Sequence, residues 1–393
     1  MVTKKQSVRV IRGDQVAAFR VARHHLAGSE RARPADSGGF EKTRRAHPSL
    51  VDVCRDMGGV QAQLMSAAEM QLWTRRRSST RAGIQSALWE ERALVKTTCM
   101  RLTLHLLAAA DFPLYMTALK SSSLATMYGH LARAGAGRKH ATKMIATVMD
   151  ALADGAKTQR DLIARAKNAA DPSMRRWLQY PWMALRPAII EGLICYGPPR
   201  GNEVTFVRVD HWLPRPRKLD EDEARRELIR RFLGAFGPAT VRDFMKWSGI
   251  KAAEARRAWT SLDDELAAVS VDGATQWLLR RDLPALADHA PDGSLRLLPS
   301  FDPFLLAHAT KDHLIDRRHY KRVYRNQGWI TPVVLIGGRV AGIWSLETRG
   351  KAVTADVRLF APAGRATRAA IEREAAALGT FLGARCDVKV RTI

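Results

Sequence analysis

The apolar positions of this chain follow a helical spacing in some stretches and a strand spacing in others, and the two alternate in a repeated order. The spacing predicts helices over 49–57, 66–75 and 80–91, followed by strands over 94–99 and 102–107. Three helices followed by a two-stranded hairpin is the order of a winged helix-turn-helix. The pattern therefore predicts such a unit, preceded by a flexible basic start over 1–14 and a helix over 15–26.

The same order of elements returns twice. Helices predicted over 141–153, 159–166 and 174–191 precede strands over 193–196 and 203–209, with Pro187 expected to kink or shorten the third helix. Helices over 221–236, 241–247 and 251–262 precede strands over 265–271 and 275–279, which Asp272 and Gly273 join as a strong hairpin signal. The chain thus repeats an order of elements three times without an obvious sequence repeat.

Beyond a polar linker over 281–293, the pattern changes to short β-branched runs. Strands are predicted over 295–298, 331–336, 339–344, 352–360 and 387–391, with a helix over 365–382. The predicted fold class is α+β, with three tandem winged helix-turn-helix units followed by a C-terminal β-barrel-like domain. The expected boundaries are 1–116 for the basic segment and first unit, 117–215 for the second, 216–290 for the third and 291–393 for the β-rich domain.

The charge balance makes nucleic acid the expected partner. The 393 residues include 64 Lys and Arg against 39 Asp and Glu, a formal net charge of +25, which attracts polyanions.

No apolar run approaches the ~18 residues of a membrane span, and residues 1–12 have no apolar core of a secretory signal. The four cysteines are scattered without metal-site spacing. We therefore expect a cytoplasmic, nucleoid-associated monomer without membrane contact.

One short motif has the composition of a chemical site. Gln61 and Gln63 flank Ala62 just after two glycines. In an extended segment, side chains two residues apart share a face, so the two carboxamides would lie side by side. Such a pair can hold a water molecule and a polar substrate edge, but it is no strong base, so it suits a leaving group that is already activated. On spacing alone, two surface glutamines are the better explanation of the motif, and amides that bond backbone groups are a further alternative.

Four segments, taken in order, carry a resemblance to a known family. They are Gly59-Val60-Gln61-Ala62-Gln63, then LWEERALV over 88–95 with CMRLTLHLL over 99–107, then LPSFDPFLL over 298–306, and GRVAGIW over 338–344. Together they resemble the AlkZ-like DNA glycosylases of the HTH_42 winged-helix superfamily, over about residues 15–390. Departures are the stretch over 28–47, which looks inserted, Leu102 where the family often has Gly, and Cys99 in a stretch that the family fills differently.

This resemblance implies a monofunctional DNA glycosylase that needs no cofactor and no metal. It implies removal of N7-alkylated guanine from double-stranded DNA, including bulky adducts and interstrand crosslinks, with Gln61 and Gln63 positioning the attacking water. A glutamine at the second motif position, as Gln63 is here, occurs in family members of a narrow crosslink-unhooking type associated with genotoxin biosynthesis. The alternative is a non-enzymatic winged-helix DNA-binding protein or transcription regulator, which has no need of the glutamine pair.

Basic and polar residues at element ends are the predicted DNA contacts, although any one of them can equally be a surface charge. Asp302, within the third segment, is expected to make a fold-stabilising contact with an arginine rather than to serve the site. The predicted DNA contacts are Arg75, Arg76, Arg77, Arg101, Thr103, His105, Arg175, Arg176, Lys251, Arg256 and Arg257.

Overall fold

The computed structural model describes residues 8–28, 48–133, 135–169, 181–214, 218–290, 293–349 and 352–393. Its helices are α1 (Gly13–Arg23), α2 (Leu50–Asp56), α3 (Met65–Arg75), α4 (Arg81–Trp89), α5 (Phe112–Arg133), α6 (Arg138–Ala151), α7 (Gln159–Ala169), α8 (Pro181–Ile190), α9 (Val209–Trp212), α10 (Glu221–Phe236), α11 (Val241–Ser248), α12 (Ala252–Thr260), α13 (Leu283–Ala287), α14 (Pro303–Leu306), α15 (Tyr320–Val323) and α16 (Arg365–Leu382). Its strands are β1 (Arg9–Ile11), β2 (Val60–Gln61), β3 (Leu94–Thr98), β4 (Leu104–Ala108), β5 (Lys157–Thr158), β6 (Ile194–Arg200), β7 (Glu203–Arg208), β8 (Leu266–Val271), β9 (Ala274–Leu279), β10 (Leu295–Leu298), β11 (Val333–Ile336), β12 (Arg339–Arg349), β13 (Ala352–Leu359) and β14 (Cys386–Thr392).

Three small sheets are built around the three predicted hairpins, which the structure confirms. Each sheet has three strands, in the orders β2-β4-β3, β5-β7-β6 and β1-β8-β9. In the first two, a two-residue strand adds antiparallel to the hairpin, beside β4 and β7 respectively. The first of these short strands carries Gln61, so the glutamine motif is part of a sheet rather than of a free loop.

The third sheet corrects a prediction at the start of the chain. Residues 9–11 were expected to be flexible, but they form β1 and pair in parallel with β8, Arg9 opposite Val269 and Ile11 opposite Val271. The Ile11 side chain is 3% exposed and packs in one apolar cluster with Val269 and Val271. The apolar burial of Ile11 fixes this strand, and the pairing is with a segment so distant in sequence that no local pattern signals it.

Two local signals direct the chain into β2. The Ser49 hydroxyl accepts from the Asp52 backbone N–H (3.1 Å) and the Asp52 carboxylate accepts from that of Ser49 (3.0 Å), a capping box that begins α2. The helix ends before Gly58 and Gly59, which have φ of 68° and 90°. A Cβ on Gly59 would lie 2.8 Å from the Leu107 side chain, so the close approach to β4 requires glycine.

The C-terminal region is an open sheet, not the barrel-like domain expected. Its strands run in the order β10-β11-β12-β13-β14, and β13 and β14 are parallel across the connecting helix α16. Ile371 and Leu378 of α16 pack in one cluster with Leu297, Trp344 and Val357 of the sheet. Because α16 covers the apolar face of the sheet, the strands need not close on themselves to bury that face. No closed barrel forms in the described part of the chain.

The longest helix described is α5, with 22 residues. It buries Phe112, Tyr115 and Leu119 and packs against α8 and α10, so it joins the second and third sheet regions. Within the described ranges, no helix combines the length and the apolar character that crossing a membrane requires.

The β1 pairing makes a stability prediction with a matched control on the same strand. Ile11→Ala removes a buried side chain and is expected to lower the free energy of unfolding by about 2 kcal/mol or more. Val10→Ala changes a neighbour that is 78% exposed and is expected to shift it by no more than about 0.5 kcal/mol. Urea denaturation of both variants beside the native protein measures the difference, and equal losses would contradict the strand assignment.

Candidate active site

Gln61 occupies the last position of β2, directly opposite His105 of β4. Residues directly opposite in an antiparallel pair share a face, so the two side chains are neighbours. Gln61 is 7% exposed, and its Oε1 accepts a hydrogen bond from Arg101 Nη2 at 2.9 Å. Its Nε2 makes no hydrogen bond with any described residue, and this nitrogen is not fully shielded from solvent. The amide nitrogen is therefore the end of Gln61 that a ligand or water can reach.

Gln63 has a different environment from Gln61, which corrects the prediction of two equivalent amides side by side. The Ala62 N–H still bonds the Leu104 carbonyl (2.7 Å), but the strand has ended and Gln63 lies in an exposed bend before α3. The Gln63 side chain makes no hydrogen bond within the described residues. The motif thus combines one fixed, mostly buried amide with one exposed amide that is free to turn.

A third glutamine, which the sequence did not single out, holds the motif in place. Gln71 of α3 is fully buried, and its Nε2 donates to the Gln61 carbonyl (3.3 Å) and to the Ser300 carbonyl (3.0 Å). One amide nitrogen therefore ties β2 to the LPSFDPFLL segment. A weak signal existed, because Gln71 and Arg75 are one helical turn apart and so share a face of α3.

The buried partner of Asp302 is Arg75. Arg75 Nη1 donates to Asp302 Oδ2 (2.8 Å) and Nη2 donates to Oδ1 (2.7 Å), with both side chains at zero exposure. Arg75 Nη1 also donates to the Gln71 carbonyl at 3.1 Å. The predicted contact of Asp302 with an arginine is confirmed. The predicted contact of Arg75 with DNA is wrong, because its guanidinium is enclosed and doubly paired.

The two arginines that follow Arg75 hold the end of α3 against its surroundings. Arg76 Nε donates to the Pro48 carbonyl (2.9 Å). Arg77 pairs with Glu374 of α16 (2.7 Å), and its guanidinium lies 4.2 Å from the centre of the Trp73 ring. Arg76 is half-buried and Arg77 exposed, so their contacts with DNA stay predictions.

The Arg101 side chain was expected to be free at the hairpin tip, but it is turned into the protein. Besides bonding Gln61, its Nη1 donates to the Trp247 carbonyl of α11. Burial lowers the pKa of Arg101 to about 10, which leaves it charged at neutral pH. The expectation of an arginine free at the hairpin tip is therefore corrected, because both arms of the guanidinium bond groups within the protein. Arg101 is half-buried, and its contact with DNA stays a prediction.

The face shared by Thr103 and His105 is also more enclosed than predicted. His105 is 2% exposed, and its Nδ1 donates to the Thr103 carbonyl at 2.9 Å. Burial and the nearby Arg101 charge lower the pKa of His105 to about 3, so the ring is neutral at physiological pH. A DNA contact by His105 is wrong for this buried position. The Thr103 hydroxyl closes the turn by donating to the Met100 carbonyl (3.0 Å), and its DNA contact stays a prediction.

The first carboxylate after the motif, that of Glu69, is engaged in other contacts and is not free to act as a base. Glu69, on α3, is buried at 3% and accepts from Arg81 Nε (3.0 Å) and Gln85 Nε2 (2.5 Å). Its carboxylate is thus committed to the contact between α3 and α4. The described ranges contain no group of three His, Cys, Asp or Glu side chains arranged to hold a metal ion.

Three of the five remaining predicted DNA contacts stand at or within α12. Lys251 and Arg256 are exposed at α12, and Arg257 pairs with Asp222 at 2.7 Å. Arg175 and Arg176 lie outside the described residues. Contact of these five residues with DNA remains a prediction.

The glutamine motif, the Arg101 hairpin and the Asp302 segment meet in one place, and comparison with known proteins explains why they occur together. A family model described as "DNA glycosylase AlkZ-like" matches residues 54–381. This chain belongs to the AlkZ-like DNA glycosylase family. The AlkZ-like chain is accordingly an enzyme that hydrolyses N-glycosidic bonds, and the alternative of a non-enzymatic regulator is set aside.

A sequence comparison and a structure comparison both support this assignment. An interstrand DNA cross-link repair glycosylase from Streptomyces sahachiroi is 32% identical over 347 residues, which cover 84% of this chain and 90% of the relative. The solved structure of the Streptomyces sahachiroi DNA glycosylase AlkZ matches with a TM-score of 0.82 and 28% identity, covering 97% of this chain and 100% of that one. The AlkZ-like fold therefore extends through nearly the whole chain.

The Arg75–Asp302 pair predicts a large stability effect without a direct effect on DNA contacts. Asp302→Asn leaves a buried guanidinium without its counter-charge and is expected to lower the free energy of unfolding by about 3–5 kcal/mol. The control is Asp312→Asn, which breaks the exposed pair with Arg317 and should leave the unfolding midpoint almost unchanged. Denaturation curves measure both. An unfolding midpoint for Asp302→Asn as high as that of the control would contradict the importance of the buried pair for stability.

Proposed function

We propose that this AlkZ-like glycosylase removes N7-alkylated guanine from double-stranded DNA, including bulky adducts and interstrand crosslinks, with Gln61 and Gln63 holding the attacking water. The observation that carries the proposal is the pairing of a fixed amide with an accessible nitrogen and an exposed amide two residues away. The name of the similar Streptomyces protein, an interstrand DNA cross-link repair glycosylase, supports crosslinks as substrates.

The chemistry of the lesion matches the weakness of the site. Alkylation at N7 gives guanine a positive charge, so the base leaves without protonation by a general acid. The sugar then passes through an oxocarbenium-like state, and water adds at C1′. Preorganised amides that orient this water contribute about 10²–10³-fold in rate, which suffices for an activated leaving group. The commitment of Glu69 to Arg81 and Gln85 supports a mechanism without a carboxylate base.

The architecture supports binding along a duplex. We propose that the helices and the three small sheets form three winged helix-turn-helix units, bounded as 1–116, 117–215 and 216–290, with residues 291–393 as a C-terminal β-rich domain. One monomer then follows the DNA, with phosphate contacts from exposed residues such as Lys251 and Arg256. A net charge of +25 makes this binding steeply dependent on salt.

The exposure of Gln63 favours a site that acts on the lesion within the duplex. A bulky or crosslinked base cannot readily swing out of the helix into a deep pocket. An exposed amide in a bend can approach C1′ from the surface instead. Refusal of bulky adducts alongside cleavage of small, flipped bases would contradict this part of the proposal.

Base excision by glutamine variants tests the proposal. The native protein, Gln61→Ala and Gln63→Ala are incubated in excess with a duplex carrying one N7-alkylguanine and, in parallel, with a crosslinked duplex. Alkali then converts abasic sites to strand breaks. We expect each variant to lose about 10²-fold in single-turnover rate, because each loses an amide that holds the water, while the affinity for DNA is retained.

Gln159→Ala, which changes a half-buried glutamine at the start of α7, is the matched control and should cut at the native rate. Native rates in both motif variants would demote the glutamine pair to a structural role. Absence of strand breaks with either substrate, despite tight salt-sensitive binding, would contradict the proposed substrate class.

A further inference from the structure

Arg101 lies in a turn whose backbone is unusual for its sequence. Arg101 and Leu102 both have positive φ, 54° and 57°, although neither is glycine. The turn is closed by hydrogen bonds from Cys99 N–H to the Thr103 carbonyl and from Leu102 N–H to the Cys99 carbonyl, both 2.9 Å. Non-glycine residues adopt this conformation at a cost in free energy, and such strain concentrates at functional sites. The turn therefore calls for an explanation beyond joining two strands.

The strained turn aims one guanidinium at two fixed acceptors. One arm of Arg101 donates to Gln61 Oε1 at 2.9 Å, and the other donates to the Trp247 carbonyl at the end of α11. Gly249, at φ 82°, follows that helix, and a Cβ there would lie 3.2 Å from the Arg101 backbone. Glycine thus suits both the positive φ and the close approach of α11 to the turn. Arg101 is thus held between Gln61 and the end of α11.

The chemistry of the guanidinium decides which way round the Gln61 amide sits. Arginine has donors and no acceptor, so only the carboxamide oxygen can face it. The accessible end is then necessarily the NH₂ group, and Nε2 is free of partners among the described residues. We infer that Arg101 is a positioning residue that orients Gln61 so that its amide nitrogen, not its oxygen, meets the reacting water. This inference rests on the proposed function and assigns different tasks to the two glutamines.

Gln61 then donates a hydrogen bond to the water oxygen, and Gln63, whose amide is free to turn, accepts a hydrogen bond from the water. As the C1′–N9 bond breaks, its electron pair neutralises the charge of the alkylated guanine. The water oxygen forms the new bond to C1′, and the released proton passes to bulk water past the Gln63 oxygen. Neither glutamine takes the proton, consistent with the low basicity of a carboxamide.

A double-mutant cycle on the single-turnover excision rate tests the inference with the full-length protein and an N7-alkylguanine duplex. The variants are Arg101→Met, Gln61→Ala and the double variant, with Arg101→Lys as the conservative change that keeps the charge and one donor. Thermal unfolding is recorded for each. Gly249→Ala, which displaces the turn without altering its chemistry, is measured as well in case Arg101→Met unfolds. Arg385→Met, which removes an exposed charge paired with Asp387, is the control for charge loss.

We expect Arg101→Met to lower the saturating rate by about ten-fold or more, with Arg101→Lys intermediate, and to lower it no further once Gln61 is alanine. The DNA affinity of Arg101→Met should change no more than that of the charge-loss control, Arg385→Met. Additive losses in the double variant, or a weaker affinity with a native saturating rate, would overturn the positioning role and leave Gln61 as proposed. A native rate in Gln61→Ala itself would overturn both, since Arg101 would have nothing to position.

Discussion

The buried ion pair between Arg75 and Asp302 is the interaction on which the site depends. Two charges with zero exposure must remain paired, because removing either leaves an uncompensated charge inside the protein. The pair therefore fixes α3 against the segment that begins α14. Gln71, one turn earlier on α3, is seated by the same contact and holds the Gln61 and Ser300 carbonyls with one amide. The position of the glutamine motif thus follows from a charge pair that is enclosed within the protein.

The environment of the motif explains what kind of chemistry it can perform. The groups around Gln61 are a cation locked in place, a neutral histidine and hydrogen-bonded backbone. A neutral ring with a pKa near 3 and two carboxamides cannot remove a proton from water at physiological pH. They can orient a water molecule. A cationic leaving group needs no acid to protonate it and no strong base to activate the water. Groups that are neither acids nor bases at neutral pH therefore fit the proposed substrate, alkylated guanine.

Local patterns predicted much of the fold because local interactions decide it. Ser49, Thr80, Asp220 and Thr240 stand at or just before the start of a predicted helix, and each side chain accepts a backbone hydrogen bond there. The three hairpins and α16 also lie close to their predicted bounds. The pairing of β1 with β8 and the open C-terminal sheet depend on partners far away in sequence, which neither periodicity nor turn chemistry reports.

The site shows the same division between local and distant information. The two glutamines were identified from their spacing and from the family resemblance, and Asp302 was correctly matched with an arginine. Which arginine it would be depends on the packing of α3 against the segment over 298–306. That Arg101 would face Gln61 instead of solvent depends on positive φ angles in its turn and on a backbone carbonyl of α11. A carbonyl has no signature in the sequence, so these contacts emerge only in three dimensions.

The most direct test of the account is a structure of the enzyme bound to a duplex that carries an abasic analogue with a positively charged ring nitrogen at the place of C1′. Such an analogue imitates the charge of the oxocarbenium-like state. The account predicts that the nitrogen lies beside a water molecule that is about 3 Å from both Gln61 Nε2 and Gln63. An analogue bound with neither amide, nor any water held by them, next to the ring would contradict the account.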